Sequence, residues 1–586
     1  MPVAPYTWLL DDYLTASRLN DELYAISGQA FAPNGIGFHA AKPVYKAAVE
    51  GLSTITFTAS TWTPLGQYGT SFDYKFAVQG DSGGLIGART DGFNNGCVTF
   101  NRLISGGGDP GGAVGGLGLV STFTTVDTGT GRMVAGLGAN GGAAPTTLGT
   151  AQVTNASHDT AGYAVDIMDL NTITTANNTG WVFSTQTGPD LVVQQHDGSG
   201  ATSRVQAHWA SVYPSNGATV GSLPSPQTTW TSSSPFTAAL MNGSAGIKQL
   251  MTMLNMPPVL RVASTASTST ANGTTTTINF PAATYDTYSG WNSSTDVYTV
   301  PLSGLYLVYG STPWASQSAY ARTGVEINGT DYFGPIGTAG TSQVIATAKV
   351  QVFSLSAGDT IKLVGLQRSG GTLNATAGSI LVALYLGQAE APSTLPALPD
   401  VTYRWAAGTP AASMPGLLNA HLANDLLYLA QKPYVLTYQS SAQSGIANAT
   451  WTQLVTGQVS GIVHGDAGDP WNGWTSGTSN AWTAPRSGWY LVCQEFFMDT
   501  PTINGGTTIA GLACSQAGLV SPDQYQQMTS STAFSGGGAA ALGYYYLRAG
   551  DTIAPQIYSG GTTSTTTATI ATAGSDSHFE AVWISE

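Results

Sequence analysis

The sequence predicts an all-β fold, and three observations predict it. Runs of β-branched and aromatic residues bounded by Gly, Pro, Ser or Asn recur along most of the chain, as at 53–60, 274–280, 297–310, 379–387, 487–498 and 578–585. Turn residues separate them so densely that sandwiches or barrels are indicated. Two long phrases also occur twice, which marks a repeated β-unit.

In chain order, 1–45 is expected to hold a short helix over 14–27, with Leu19, Leu23 and Ile26 at helical spacing and Thr15 as a candidate N-cap. The block 46–225 is rich in strand signals and is read as a β-sandwich-like domain. Its Gly-rich stretch 105–150 fits either a long loop or a set of short strands. A helical linker, 226–258, follows, with Ile247, Leu250 and Leu254 in register, Thr237 as candidate cap and Pro257-Pro258 as the stop. The block 259–390 is a β-module, and 391–432 is a linker and helix with Leu418, Leu422, Leu426 and Leu429 in register. Pro415 sits near that helix's first turn and Pro433 closes it. The last β-module is 433–586. The three helical stretches resemble one another, since Asn20, Asn242 and Asn419 coincide when they are aligned. The runs 221–235 and 388–401 are Pro/Ser/Thr-rich and read as semi-extended connectors.

The duplicated phrases are PLSGLYLVYG (301–310) with APRSGWYLVC (484–493), and LSAGDTIKL (355–363) with LRAGDTIAP (547–555). Their internal spacings are alike: 358 − 304 = 54 and 550 − 488 = 62. Each set has a Trp-containing lead-in (Trp291; Trp471, Trp474 and Trp482) and closes on an apolar strand. This arrangement resembles the globular-head family shared by complement recognition proteins and tumour necrosis factor, over about 259–390 and 433–586. The resemblance implies tandem antiparallel jelly-roll sandwiches that trimerise around an apolar interface. Three-stranded bundles of the linking helices would then lie along the same axis. The alternative is that each helix packs on its own module. The first block lacks both phrases. Jelly-roll modules preceded by such a helix also resemble virion proteins of bacteriophages, namely minor tail proteins, tail fibres and head-surface fibres.

Composition narrows the functional classes. Charged residues make up only 9% of the 586, against about 25% in ordinary soluble domains. Net charge is −14 with 18 Lys plus Arg in no run, which argues against nucleic acid and anionic membrane surfaces. No apolar run reaches the ~20 residues of a membrane helix. Residues 1–24 lack the basic and apolar regions of a signal peptide. These features agree with what the resemblance to phage virion proteins implies, a location on the virion surface after assembly in the host cytoplasm. Cys97, Cys493 and Cys514 do not form a disulfide framework, and Cys493 reads as a small core residue.

Catalytic constellations are missing. The segment GDSGG (80–84) echoes a serine-protease nucleophile but reads better as a turn in a Gly-rich chain, and no other enzyme motif occurs. Paired carboxylates for sugar cleavage, such as Asp466 and Asp469, read better as turn formers. The expectation is no enzyme and no cofactor, with one local exception in HGDAGDPWNGW (464–474). Asp466, Asp469 and Asn472 offer oxygens that suit calcium, and Trp471, Trp474 and Trp482 offer faces that suit sugar rings. The competing reading puts those tryptophans in the core and those carboxylates on turns. Trp291 at the matching place of the other module favours it.

The sequence thus predicts a homotrimeric phage structural protein, a minor tail protein or tail fibre. Residues 1–45 would dock on other virion proteins, and the distal C-terminal module would bind host cell-surface polysaccharide. A capsid-surface fibre or decoration protein is the alternative, and a polysaccharide depolymerase spike a lesser one.

Overall fold

The computed structural model describes 258–387 and 433–585, apart from short stretches inside them, and the backbone of the strands within 43–214. Eight principal strands, with shorter edge pieces beside them, appear three times in the same order. The first set is β1 (Pro43–Ala48), β2 (Trp62–Pro64), β3 (Val114–Thr125), β4 (Met133–Gly138), β5 (Thr150–Val153), β6 (Ala161–Asp169), β7 (Asp190–Gln195) and β8 (Thr202–Pro214). The second is β9 (Val259–Ala263), β10 (Val297–Thr299), β11 (Gly304–Trp314), β12 (Tyr320–Ile327), β13 (Thr330–Phe333), β14 (Ile345–Leu355), β15 (Thr360–Gln367) and β16 (Ile380–Gly387). The third is β17 (Tyr434–Tyr438), β18 (Ala481–Thr483), β19 (Gly488–Met498), β20 (Gly506–Cys514), β21 (Tyr525–Ser530), β22 (Gly537–Leu547), β23 (Thr552–Gly560) and β24 (His578–Ser585).

The pairings are antiparallel and alike in all three sets. One sheet runs β6-β3-β8-β1, then β14-β11-β16-β9, then β22-β19-β24-β17. The other runs β2-β7-β4-β5, then β10-β15-β12-β13, then β18-β23-β20-β21. Within a set the spatial orders are first-eighth-third-sixth and second-seventh-fourth-fifth, which is a jelly roll. The block 43–214 has this order too, although it carries neither duplicated phrase. Among the described residues there is no helix. The helical residues Leu19, Leu23, Ile26, Ile247, Leu250, Leu254, Leu418, Leu422 and Leu426 lie outside them.

The duplicated phrases are a matched pair of turns. In the second set, the Ser303 hydroxyl accepts the Ala357 N–H at 3.0 Å; in the third, Ser487 accepts Ala549 N–H at 3.0 Å. Asp359 accepts the Ser356 N–H and Asp551 the Arg548 N–H, each at 2.7 Å. Gly358 (φ 94°) and Gly550 (φ 90°) sit between these anchors in a conformation that favours glycine. Tyr306 and Tyr490 hydroxyls then donate to the carbonyls of Leu302 and Arg486, at 2.8 and 2.7 Å. The phrases therefore travel together because each turn supplies the other's hydrogen bonds.

Strands β11 and β16 are buried at every residue, which explains why they read as continuous apolar runs rather than alternating ones. One face meets the other sheet of the same set: a Cβ at Gly310 would strike Leu363 and touch Val325. The other face carries Leu305, Leu307, Tyr309, Val350, Val352, Val382, Leu384 and Leu386. It packs in one cluster with Tyr434, Leu436, Leu491, Cys493, Val582 and Ile584 of the third set. The second core thus lies between sets, and each half comes from the same chain.

Candidate functional site: a buried charged cluster between two sheets

The tryptophan-rich loop is internal, which corrects the sugar-stacking expectation. Trp471, Trp474 and Trp482 are 6%, 7% and 0% exposed, so none of their faces meets solvent. Trp482 stands edge-on to Tyr490 with ring centres 5.2 Å apart, Trp474 lies against Phe579, and the Arg486 guanidinium lies over Trp471. Asp469 is buried, and it accepts the Trp474 N–H at 2.6 Å and the Trp482 indole N–H at 3.4 Å. Both carboxylate oxygens thereby take part in holding the loop. Asp466 and Asn472 lie outside the described residues. The second set repeats the device: Asp286 accepts the N–H of Trp291 at 2.8 Å, five residues on, as Trp474 is from Asp469. Trp291 pairs with Tyr298 as Trp474 pairs with Trp482, so the position belongs to the fold.

A different constellation emerges on the face between the second and third sets. Residues Cys493 and Glu495 on β19 pair in register with Glu580 and His578 on β24. Lys349, on edge strand β14, reaches across: its ammonium donates to Glu495 and lies 3.0 Å from His578 Nε2. His578 Nε2 is 2.9 Å from Glu495 Oε2, and its Nδ1 is 2.7 Å from Glu580 Oε1. Cys493 Sγ faces the Val350 carbonyl of the second set at 3.8 Å. Lys349, His578, Glu495 and Glu580 are all essentially without exposure. The cluster thus sets one ammonium and one imidazole against two carboxylates, so its buried groups face opposite charge or hydrogen-bond partners, the condition under which buried ions are tolerated.

Burial pushes the Glu580 carboxyl above the usual carboxylate range; the charge and hydrogen bond of His578, and then Lys349, pull it back part of the way. The Cys493 thiol is pushed well up by burial, and further by the carboxylates of Glu580 and Glu495. It is a neutral thiol, not a nucleophile. Ligand atoms of Cys493, His578 and Glu580 lie within 4.8 Å of one another, a donor set that would suit zinc. Lys349 already holds a positive charge against the same ring, however, and a divalent ion beside it would meet strong repulsion at low dielectric. The cluster is buried, and the chemistry its geometry shows is ionic pairing between two sheets.

Sequence reading passes over these residues because each sits in an apolar strand. The signal available is an alternating polar row, Cys493-Glu495 and His578-Glu580, inside strands that are otherwise hydrophobic.

No protein-family model and no curated protein matches the chain. Among solved structures, a crystal structure of murine APRIL at pH 8.5 is similar at 19% identity, covering 22% of this chain and 98% of that one, with a TM-score of 0.19. The globular domain of a zebrafish complement 1qA protein is similar at 12% identity, over 22% of this chain and 94% of that one, with a TM-score of 0.17. The jelly-roll fold of the present chain rests on its own strand order.

Proposed function

We propose that the chain is a structural component of a bacteriophage virion, a minor tail protein or tail fibre, that attaches the particle to host cell-surface polysaccharide. The observation that carries this reading is the repeated jelly roll in a chain poor in charged residues. Its sequence replaces charged residues with Gly, Ser, Thr and Asn, which offer hydroxyl, amide and backbone groups for hydrogen bonds. Tandem modules joined by short helices, with 1–45 docked on other virion proteins, complete the proposed layout. The appendage is threefold, as the expected homotrimer would be.

With Trp471, Trp474 and Trp482 inside, the C-terminal module meets sugars through segments between strands. The run 562–567, Thr-Thr-Ser-Thr-Thr-Thr, supplies hydroxyls for weak hydrogen bonds. Several weak sites on one rigid body add by avidity. No bond in the polysaccharide is broken in this reading, and no cofactor takes part.

Two measurements test it. Gold-labelled antibody to the chain should decorate the tails of particles; decoration of heads would transfer the proposal to a capsid-surface fibre. Purified full chain, added to host cells first, should reduce phage adsorption without releasing reducing sugar. Unchanged adsorption would remove the attachment role, and released sugar would make the chain a depolymerase.

A further inference from the structure

We infer that one chain builds the threefold unit by itself: its three jelly rolls close into a ring on one another, in place of three chains. The contacts are cyclic. Strand β6 of the first set lies beside β11 of the second, β14 of the second beside β19 of the third, and β22 of the third beside β3 of the first. In each junction the sixth strand of one set meets the third strand of the next, which is the head-to-tail contact that closes a ring.

The side chains at the second junction show that it is made for unlike partners. Lys349 needs a carboxylate, and the third set provides Glu495 paired with His578. The same register position in the second set is Ser311 paired with Ile380. Likewise, Cys493 and Glu580 of the third set correspond to Tyr309 and Val382 of the second. A homotrimer that packed second set on second set would bury Lys349 against Ser311 and Ile380, with no counter-charge. Packing the second set on the third satisfies it.

The ring changes the layout of the appendage. The C-terminal module lies beside the other two rather than beyond them, so three different loop sets share the ring's surface. Specificity can then be divided among non-identical sites, which three copies of one chain cannot do. This inference does not rest on the virion role, and its test is independent of it.

The mass of the full-length protein, measured by light scattering across a range of concentrations, should stay near the 60.2 kDa of one chain. A second measurement uses the native thiol of Cys493 against the neighbouring Val350. In a background with Cys97→Ser and Cys514→Ser, Val350→Cys should form a 350–493 disulfide under mild oxidation. On a non-reducing gel the product should migrate as a single chain. A one-chain mass, or a disulfide within one chain even where rings associate further, supports the inference. A mass near three chains, with 350–493 disulfides joining different chains, overturns it. Should Val350→Cys not fold, the mass of the unaltered protein decides alone.

Discussion

Replacing Lys349 by Met removes one cation and almost no volume from the junction. Lys349 and Glu495 are 0% and 1% exposed, so water cannot reach the carboxylate left behind. Removing one partner of a buried ion pair costs about 3–5 kcal/mol. His578, 2.9 Å away, remains to share the Glu495 charge and holds the expected value near the lower end. In a cooperative unit of about 150–250 residues, the range corresponds to a fall in Tm of about 6–20 °C. The assay is thermal unfolding by calorimetry at pH 7, with urea unfolding as a check. The double variant Lys349→Met with Glu495→Leu should recover most of the loss, because an apolar pair of similar volume often replaces a buried ion pair at little cost. A single variant within about 1 kcal/mol of the unaltered protein would refute the reasoning, because that is how an exposed surface pair behaves.

Four other outcomes follow from the same geometry. Glu580 is raised by burial, so the folded state holds its proton more tightly than the unfolded chain does. Its contribution is full below the ordinary carboxylate pKa and is lost as pH rises through the folded value, at most about 1.4 kcal/mol per pH unit; Glu580→Gln should flatten that part of a stability–pH profile measured by urea unfolding. Trp482→Ala should destabilise by about 3–5 kcal/mol in the same assay, with binding of full chain to host cells unchanged under conditions where it stays folded. Gly550→Ala forces a side chain to φ 90° and should cost on the order of 1 kcal/mol, with the same substitution at Gly358 costing about as much. At Gly334 an added Cβ would lie 2.0 Å from the Ala348 carbonyl oxygen, a backbone atom that cannot swing aside, so Gly334→Ala should cost about 1–3 kcal/mol or more in thermal unfolding.

The jelly-roll strands of the later two sets were legible because their turns are chemically specific. Ser-Gly and Ala-Gly-Asp mark a hydrogen-bonded turn pair in both of these sets. The first set has the same strand order without those phrases, so motif matching had no purchase on it. Only backbone pairing reveals it. The tryptophan loop misled for a physical reason: Asp, Gly and Trp in a loop suit a sugar or calcium site and also suit a turn that plugs a sandwich end. Burial decides between the two readings, and burial is not local in sequence. The Lys349 cluster was hidden for the same reason, since Lys349 and Glu495 stand 146 residues apart and become neighbours only when two sets pack. Strands β11 and β16 carry apolar residues on both faces, as two covers require. They could not say whether the second cover came from a sister chain or from the same one.

A crystal structure of the full-length protein tests the central claim most directly. It should show three sandwiches of the same strand order in one chain, with the Lys349 ammonium bonded to Glu495 of that chain. Lys349 set against Ser311 of a sister chain, or a different strand order in any of the three, would contradict it.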